Sequence, residues 1–138
     1  MAVIPVRRDL QGRFLFEVNY DHTPEGFLDC IEDSTFKRLC DAGMALVEYG
    51  HPKVDDHADP RIVLQRTRQI FHDRVCGNIK IIHATTDGFI AEIVPHGPHQ
   101  KGMIYMDGIK KLFVAPRLLF NVDSELVDII TFDAVESI

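Results

Sequence analysis

Ile79-Lys80-Ile81-Ile82 and Phe89-Ile90-Ala91-Glu92-Ile93-Val94 are runs of β-forming residues, and Thr86-Asp87-Gly88 between them carries turn residues. This pattern predicts a β-hairpin. A hairpin joins antiparallel strands, whereas a parallel pair needs a long crossover. Outward from it, residues 13–20 alternate Phe14, Phe16, Val18 and Tyr20 with other side chains, as a half-buried strand would. Residues 44–49 form a short apolar run that predicts a buried strand. Residues 111–119 predict a strand broken at Pro116, and residues 127–132 a closing strand, with Ser124-Glu125-Leu126 as a turn or short helical start.

Helix signals are fewer. Thr23-Pro24 reads as a cap followed by proline at the first helical position, with Phe27, Leu28 and Ile31 at helical spacing. Asp33-Ser34 predicts a second start, serving Phe36, Leu39 and Cys40, and Gly43 a helix end. Asp59-Pro60 opens an amphipathic segment over 61–75, with Val63, Leu64, Thr67, Ile70 and Phe71 on one face. His96-Gly97-Pro98-His99 reads as a loop. The expected fold is α+β: a mainly antiparallel, barrel-like sheet with two to three helices in one domain, residues 1–138.

Composition narrows function. The 138 residues carry a net charge of −6, which argues against nucleic acid as a partner. No apolar run reaches membrane-spanning length and no signal-peptide core is present, so neither membrane nor export is expected. Cys30, Cys40 and Cys76 are an odd set without paired spacing, expected as reduced, buried thiols rather than a disulfide framework, with a bridge between subunits as the alternative.

Three stretches could carry chemistry. His51 follows the 44–49 strand in Glu48-Tyr49-Gly50-His51-Pro52, a rigid mount suited to a general base or simply to a half-buried structural histidine. The loop His51, Asp55, Asp56, His57, Asp59 could bind a metal with His96 or His99. Its spacing fits no common zinc pattern, so a solvated acidic loop is expected, with no cofactor and no metal. Val114-Ala115-Pro116-Arg117 could offer an amide and a guanidinium to an anion, or be a surface arginine beside an edge-strand proline.

In order and spacing these pieces resemble the phage prohead serine protease family, whose fold is that of the herpesvirus assembly protease. The resemblance rests on Leu46-Val47-Glu48-Tyr49-Gly50-His51-Pro52, Asp59-Pro60, the Asp87-Gly88 turn and the closing Phe132-Asp133-Ala134-Val135, and it spans residues 13–137. It implies that His51 sits at the catalytic histidine position. Arg117 falls on an arginine that supports the oxyanion, and Asp59 is a candidate orienting acid. Where the family keeps Ser-Ser before that arginine, this chain has Ala115-Pro116. Alanine has no nucleophile to activate.

The chain has three serines, Ser34, Ser124 and Ser137, none at that position. The expectation is therefore a virion structural protein with a non-catalytic, prohead-protease-like fold. It would be a capsid decoration, cement or head-associated protein, made in the host cytoplasm. It would partner the major capsid protein or other head proteins and form homo-oligomers. The alternatives are an active maturation endopeptidase with another nucleophile, of which Cys76 is one candidate, and a metal-dependent hydrolase.

Overall fold

The computed structural model describes residues 3–52, 59–109 and 111–136. In chain order the elements are β1 (Ile4–Pro5), β2 (Arg7–Arg8), β3 (Phe14–Asn19), α1 (Phe27–Glu32), α2 (Thr35–Asp41), β4 (Ala45–Glu48), α3 (Pro60–Arg68), β5 (Val75–Ala84), β6 (Gly88–Pro95), α4 (Gln100–Ile109), β7 (Leu112–Phe120) and β8 (Leu126–Glu136). They build two antiparallel sheets, ordered β2-β3-β6-β5-β4 and β1-β7-β8. The α+β expectation holds.

The sheets share two corners. At one, residues 4–8 leave β7 and pair with β3, since Ile4 lies opposite Val114 and Arg7 opposite Leu15. At the other, β4 meets β8 through a parallel bridge between Tyr49 and Ala134, and Thr131 Oγ1 donates to the Leu46 carbonyl at 2.7 Å. Among the described residues the sheets wrap around one core without closing into a continuous ladder. Phe132 stands in that core between Phe16 and Phe36, with ring centroids 5.2 and 5.7 Å away.

The hairpin forms as expected, Ile79 opposite Ile93 and Ile81 opposite Ala91. Ser34 caps α2 by accepting from the Lys37 amide, and Asp59 caps α3 by accepting from the Arg61 amide, with proline at the first helical position.

Four expectations need correction. The helix signalled by Thr23-Pro24 starts later, at Phe27 behind Gly26 in the left-handed region, because Thr23 Oγ1 donates back to the Tyr20 carbonyl and closes a 3₁₀ turn instead. Pro116 does not break its strand. It pairs with Phe132 beyond the last β1 partner, Val114, so β7 has only β8 beside it, the edge setting in which proline is tolerated. The helix of 61–75 ends at Arg68, and Ile70 and Phe71 lie past its end. Finally, the described residues hold four α-helices, not two or three. α4 escapes sequence reading because Gly102 and Gly108 weaken its propensity and Met103 is its one buried side chain.

Phe132→Ala is expected to cost about 3–5 kcal/mol, as deletion of a fully buried ring does. Val122→Ala, at a fully exposed site, should stay within about 0.5 kcal/mol. Equilibrium urea unfolding of both variants checks the contrast.

Candidate active site

β7 and β8 place their side chains alternately. Leu112, Val114, Phe132 and Ala134 face the core. Ala115 and Arg117 therefore project from the opposite face, with Asp133 and Thr131 as their cross-strand partners. Directly opposite residues on one face have Cβ atoms roughly 5 Å apart. Ala115, Arg117, Asp133 and Thr131 thus form one buried patch outside the hydrophobic core.

Arg117 is the hub of this patch. Its guanidinium grips Asp133 bidentately, Nε to Oδ2 at 2.9 Å and Nη2 to Oδ1 at 2.6 Å. Nη2 also donates to Glu48 Oε2 at 2.9 Å, and Nη1 to the Gln69 carbonyl at 2.8 Å. Glu48, fully buried, takes a second arginine, Arg66, at 2.5 Å and the Phe71 amide at 3.2 Å. Half-exposed Arg74 also reaches Glu48 Oε1 at 3.6 Å, so each buried carboxylate is paired with at least one arginine, which is how buried charge is tolerated. Burial pushes the Glu48 carboxyl up, but the bonds from Arg66, Arg117 and the Phe71 amide outweigh it and hold it below its ordinary 4.5. Burial likewise opposes the Arg117 charge, and the two carboxylates more than restore it.

This cluster explains why α3 is short. The Gln69 carbonyl accepts from Arg66 and Arg117, and the Phe71 amide donates to Glu48. Those backbone groups are drawn to buried charges instead of continuing a helix.

Gly50 sets His51 in place. Its φ of 83° lies in the left-handed region, and a Cβ there would come 2.9 Å from Arg74 Nη2. With the Gly50 amide on the Ala134 carbonyl at 2.7 Å, the chain turns back toward β8. His51 Nδ1 then lies 2.8 Å from Asp133 Oδ2. The imidazole is about half exposed while Asp133 is fully buried. Donation from Nδ1–H to the carboxylate leaves the lone pair on Nε2, the arrangement of a histidine base held by an acid.

The expected site residues separate in space. His51 and Arg117 meet through Asp133. Asp59 does not join them. Its carboxylate caps α3 and pairs with Arg61, and the acid on His51 is Asp133. Nor does the Arg117 guanidinium face outward to hold an oxyanion, because it is buried and its donors are spent on Asp133, Glu48 and backbone carbonyls. Asp133 escapes sequence reading because the closing strand is expected to end at 132, whereas it runs over Leu126–Glu136; aspartate is depleted in such a strand, and that is the available signal.

Other nucleophiles are elsewhere. Ser34 caps α2, Ser124 sits in the β7–β8 turn, and Ser137 lies outside the described residues. Cys76 is buried in β5, and burial together with the nearby Asp133 carboxylate pushes its thiol up to about 12, far from a thiolate at neutral pH. Cys40 is buried and Cys30 half-buried, and all three thiols are free. Asp55, Asp56 and His57 fall outside the described residues. Among the described ones no group of three His, Cys, Asp or Glu side chains converges as metal ligands, and His99 stacks on Tyr49 at 5.8 Å.

The Peptidase S80 family profile matches residues 17–104, well over half the chain. The chain belongs to the Peptidase S80 family. This bears out the prohead-protease resemblance. The matched span includes Glu48 and His51 and stops before β7 and β8, which carry Ala115, Arg117 and Asp133. Searches of curated proteins and of solved structures found no match.

Glu48→Gln tests the cluster. Removing one charge from a buried pair leaves its arginines uncompensated, with an expected loss of about 3–5 kcal/mol. The pH dependence has a definite sign. Because folding lowers the Glu48 pKa, its contribution is full above the ordinary value of 4.5 and is lost as pH falls through the lower folded value. Denaturation measured between neutral pH and pH 3 should show a steeper acid loss in the parent than in Glu48→Gln.

Proposed function

We propose that this Peptidase S80 chain is a structural protein of the phage virion, a head decoration or cement component that keeps the prohead-protease-like fold without hydrolysing peptides. The observation that carries this reading is Ala115. It stands across the ladder from Asp133, on the face where His51 is held, and it presents a methyl group where acyl transfer needs a nucleophile. The histidine–carboxylate pair is the remainder of a catalytic set, and its buried arginine and second carboxylate now serve stability. No helix of the described residues is long and apolar enough to cross a membrane.

The intact His51–Asp133 pair favours a second reading, an endopeptidase that cleaves scaffold and capsid precursors with His51 as base. That reading needs a nucleophile, and no serine, threonine or cysteine among the described residues is hydrogen-bonded to His51.

The first reading expects the protein on mature capsids in stoichiometric copy number, and expects prohead precursors to survive incubation with it. Quantitative mass spectrometry of purified particles and a gel-based cleavage assay, with and without serine- and thiol-directed inactivators, measure both. Precursor cleavage by the parent chain would overturn it. The parent should also resist a fluorophosphonate probe, whereas Ala115→Ser, which puts a hydroxyl beside the histidine–carboxylate pair, should become labelled.

A further inference from the structure

The turn between β2 and β3 displays a leucine without cover. Leu10 is fully exposed at its tip. The turn is nevertheless rigidly built. Asp9 Oδ1 accepts from the Gln11 and Arg13 amides, its Oδ2 takes Arg13 Nε at 2.7 Å, and the Asp9 carbonyl accepts from the Gly12 amide. A rigid display has already lost the conformational freedom that binding would otherwise remove. Its flanks are basic: Arg7, Arg8 and Arg13 stand against Asp9 and Asp107, and Arg7 has no ion pair among the described residues.

At the other end of β3 lies a groove of about 500 Å³. Tyr20, Leu28, Ile31, Ile81 and Phe89 give it an apolar floor, and its rim carries Glu32 and Asp41 against Lys37, a surplus of negative charge. Knob and groove are complementary in shape class and in charge. They cannot meet within one chain, because the six residues of β3 separate them by about 20 Å. The groove lies away from His51, which sits near the start of β5, because it takes in Ala84 and Thr85 at the end of that strand, and the Leu10 turn lies at the opposite edge of the five-stranded sheet from β4.

We propose that the Leu10 turn of one copy inserts into the Tyr20–Phe89 groove of a second copy, so that this chain self-associates through a knob-to-groove contact. The contact uses two different patches, the arrangement that builds rings or open chains when it repeats. It stands independently of the loss of catalysis argued above. A knob this small buries less than the roughly 1,200 Å² of a standard stable interface, so free chains exchange rapidly and concentration drives the assembly.

Sedimentation velocity on the full chain, from about 10 μM to about 1 mM, brackets the expected affinity. The parent should rise in mean mass with concentration. Leu10→Asp, without a knob, and Leu28→Asp, with a charged groove, should each remain monomeric, their circular dichroism unchanged because both positions are exposed. An equimolar mixture of the two variants should recover a two-chain species, since one supplies an intact groove and the other an intact knob. A parent that stays at monomer mass throughout, or a Leu10→Asp chain that assembles like the parent, overturns the proposal.

Discussion

The bidentate grip of Arg117 on Asp133, shared with Glu48, is the constraint on which the corner between the two sheets depends. One guanidinium ties β7 to β8 through Asp133, to β4 through Glu48, and to the segment after α3 through the Gln69 carbonyl. Arg66 neutralises the second carboxylate. Unpaired, any of these buried charges would cost several kcal/mol, so the four groups are kept together or lost together. The ladder does not close at this corner, and ionic bonds with the Thr131 hydroxyl and the Gly50 amide do part of the work that backbone hydrogen bonds do elsewhere.

The same constraint accounts for the state of the site. Asp133 serves two masters: it holds the His51 imidazole and anchors Arg117. A carboxylate needed for folding persists whether or not the histidine beside it has anything to activate. A histidine–acid pair in good geometry is therefore not by itself a sign of catalysis.

Much of the fold was legible in the sequence. The hairpin around Asp87-Gly88, the caps at Ser34 and Asp59 and the closing strand depend on contacts within a few residues, so local pattern suffices. What failed was non-local. The helix over 61–75 has the right periodicity, but Glu48 and Arg117, distant in sequence, capture its last backbone groups. Pro116 reads as a strand breaker until β1 is seen to leave that edge. α4 lacks a periodic apolar face because only Met103 points inward.

The sequence by itself determined that residue 115 carries no nucleophile, that His51 follows a buried strand on a glycine turn, and that the chain is acidic and rich in antiparallel strands. These are properties of residue type and short spacing. Only the tertiary structure decided that Asp133, and not Asp59, is the acid on His51, because Asp133 lies 82 residues from the histidine in sequence and is brought to it by the pairing of distant strands. Only it decided that Arg117 is a buried tie rather than an oxyanion hand, because that depends on which carboxylates three separate strands bring to one point.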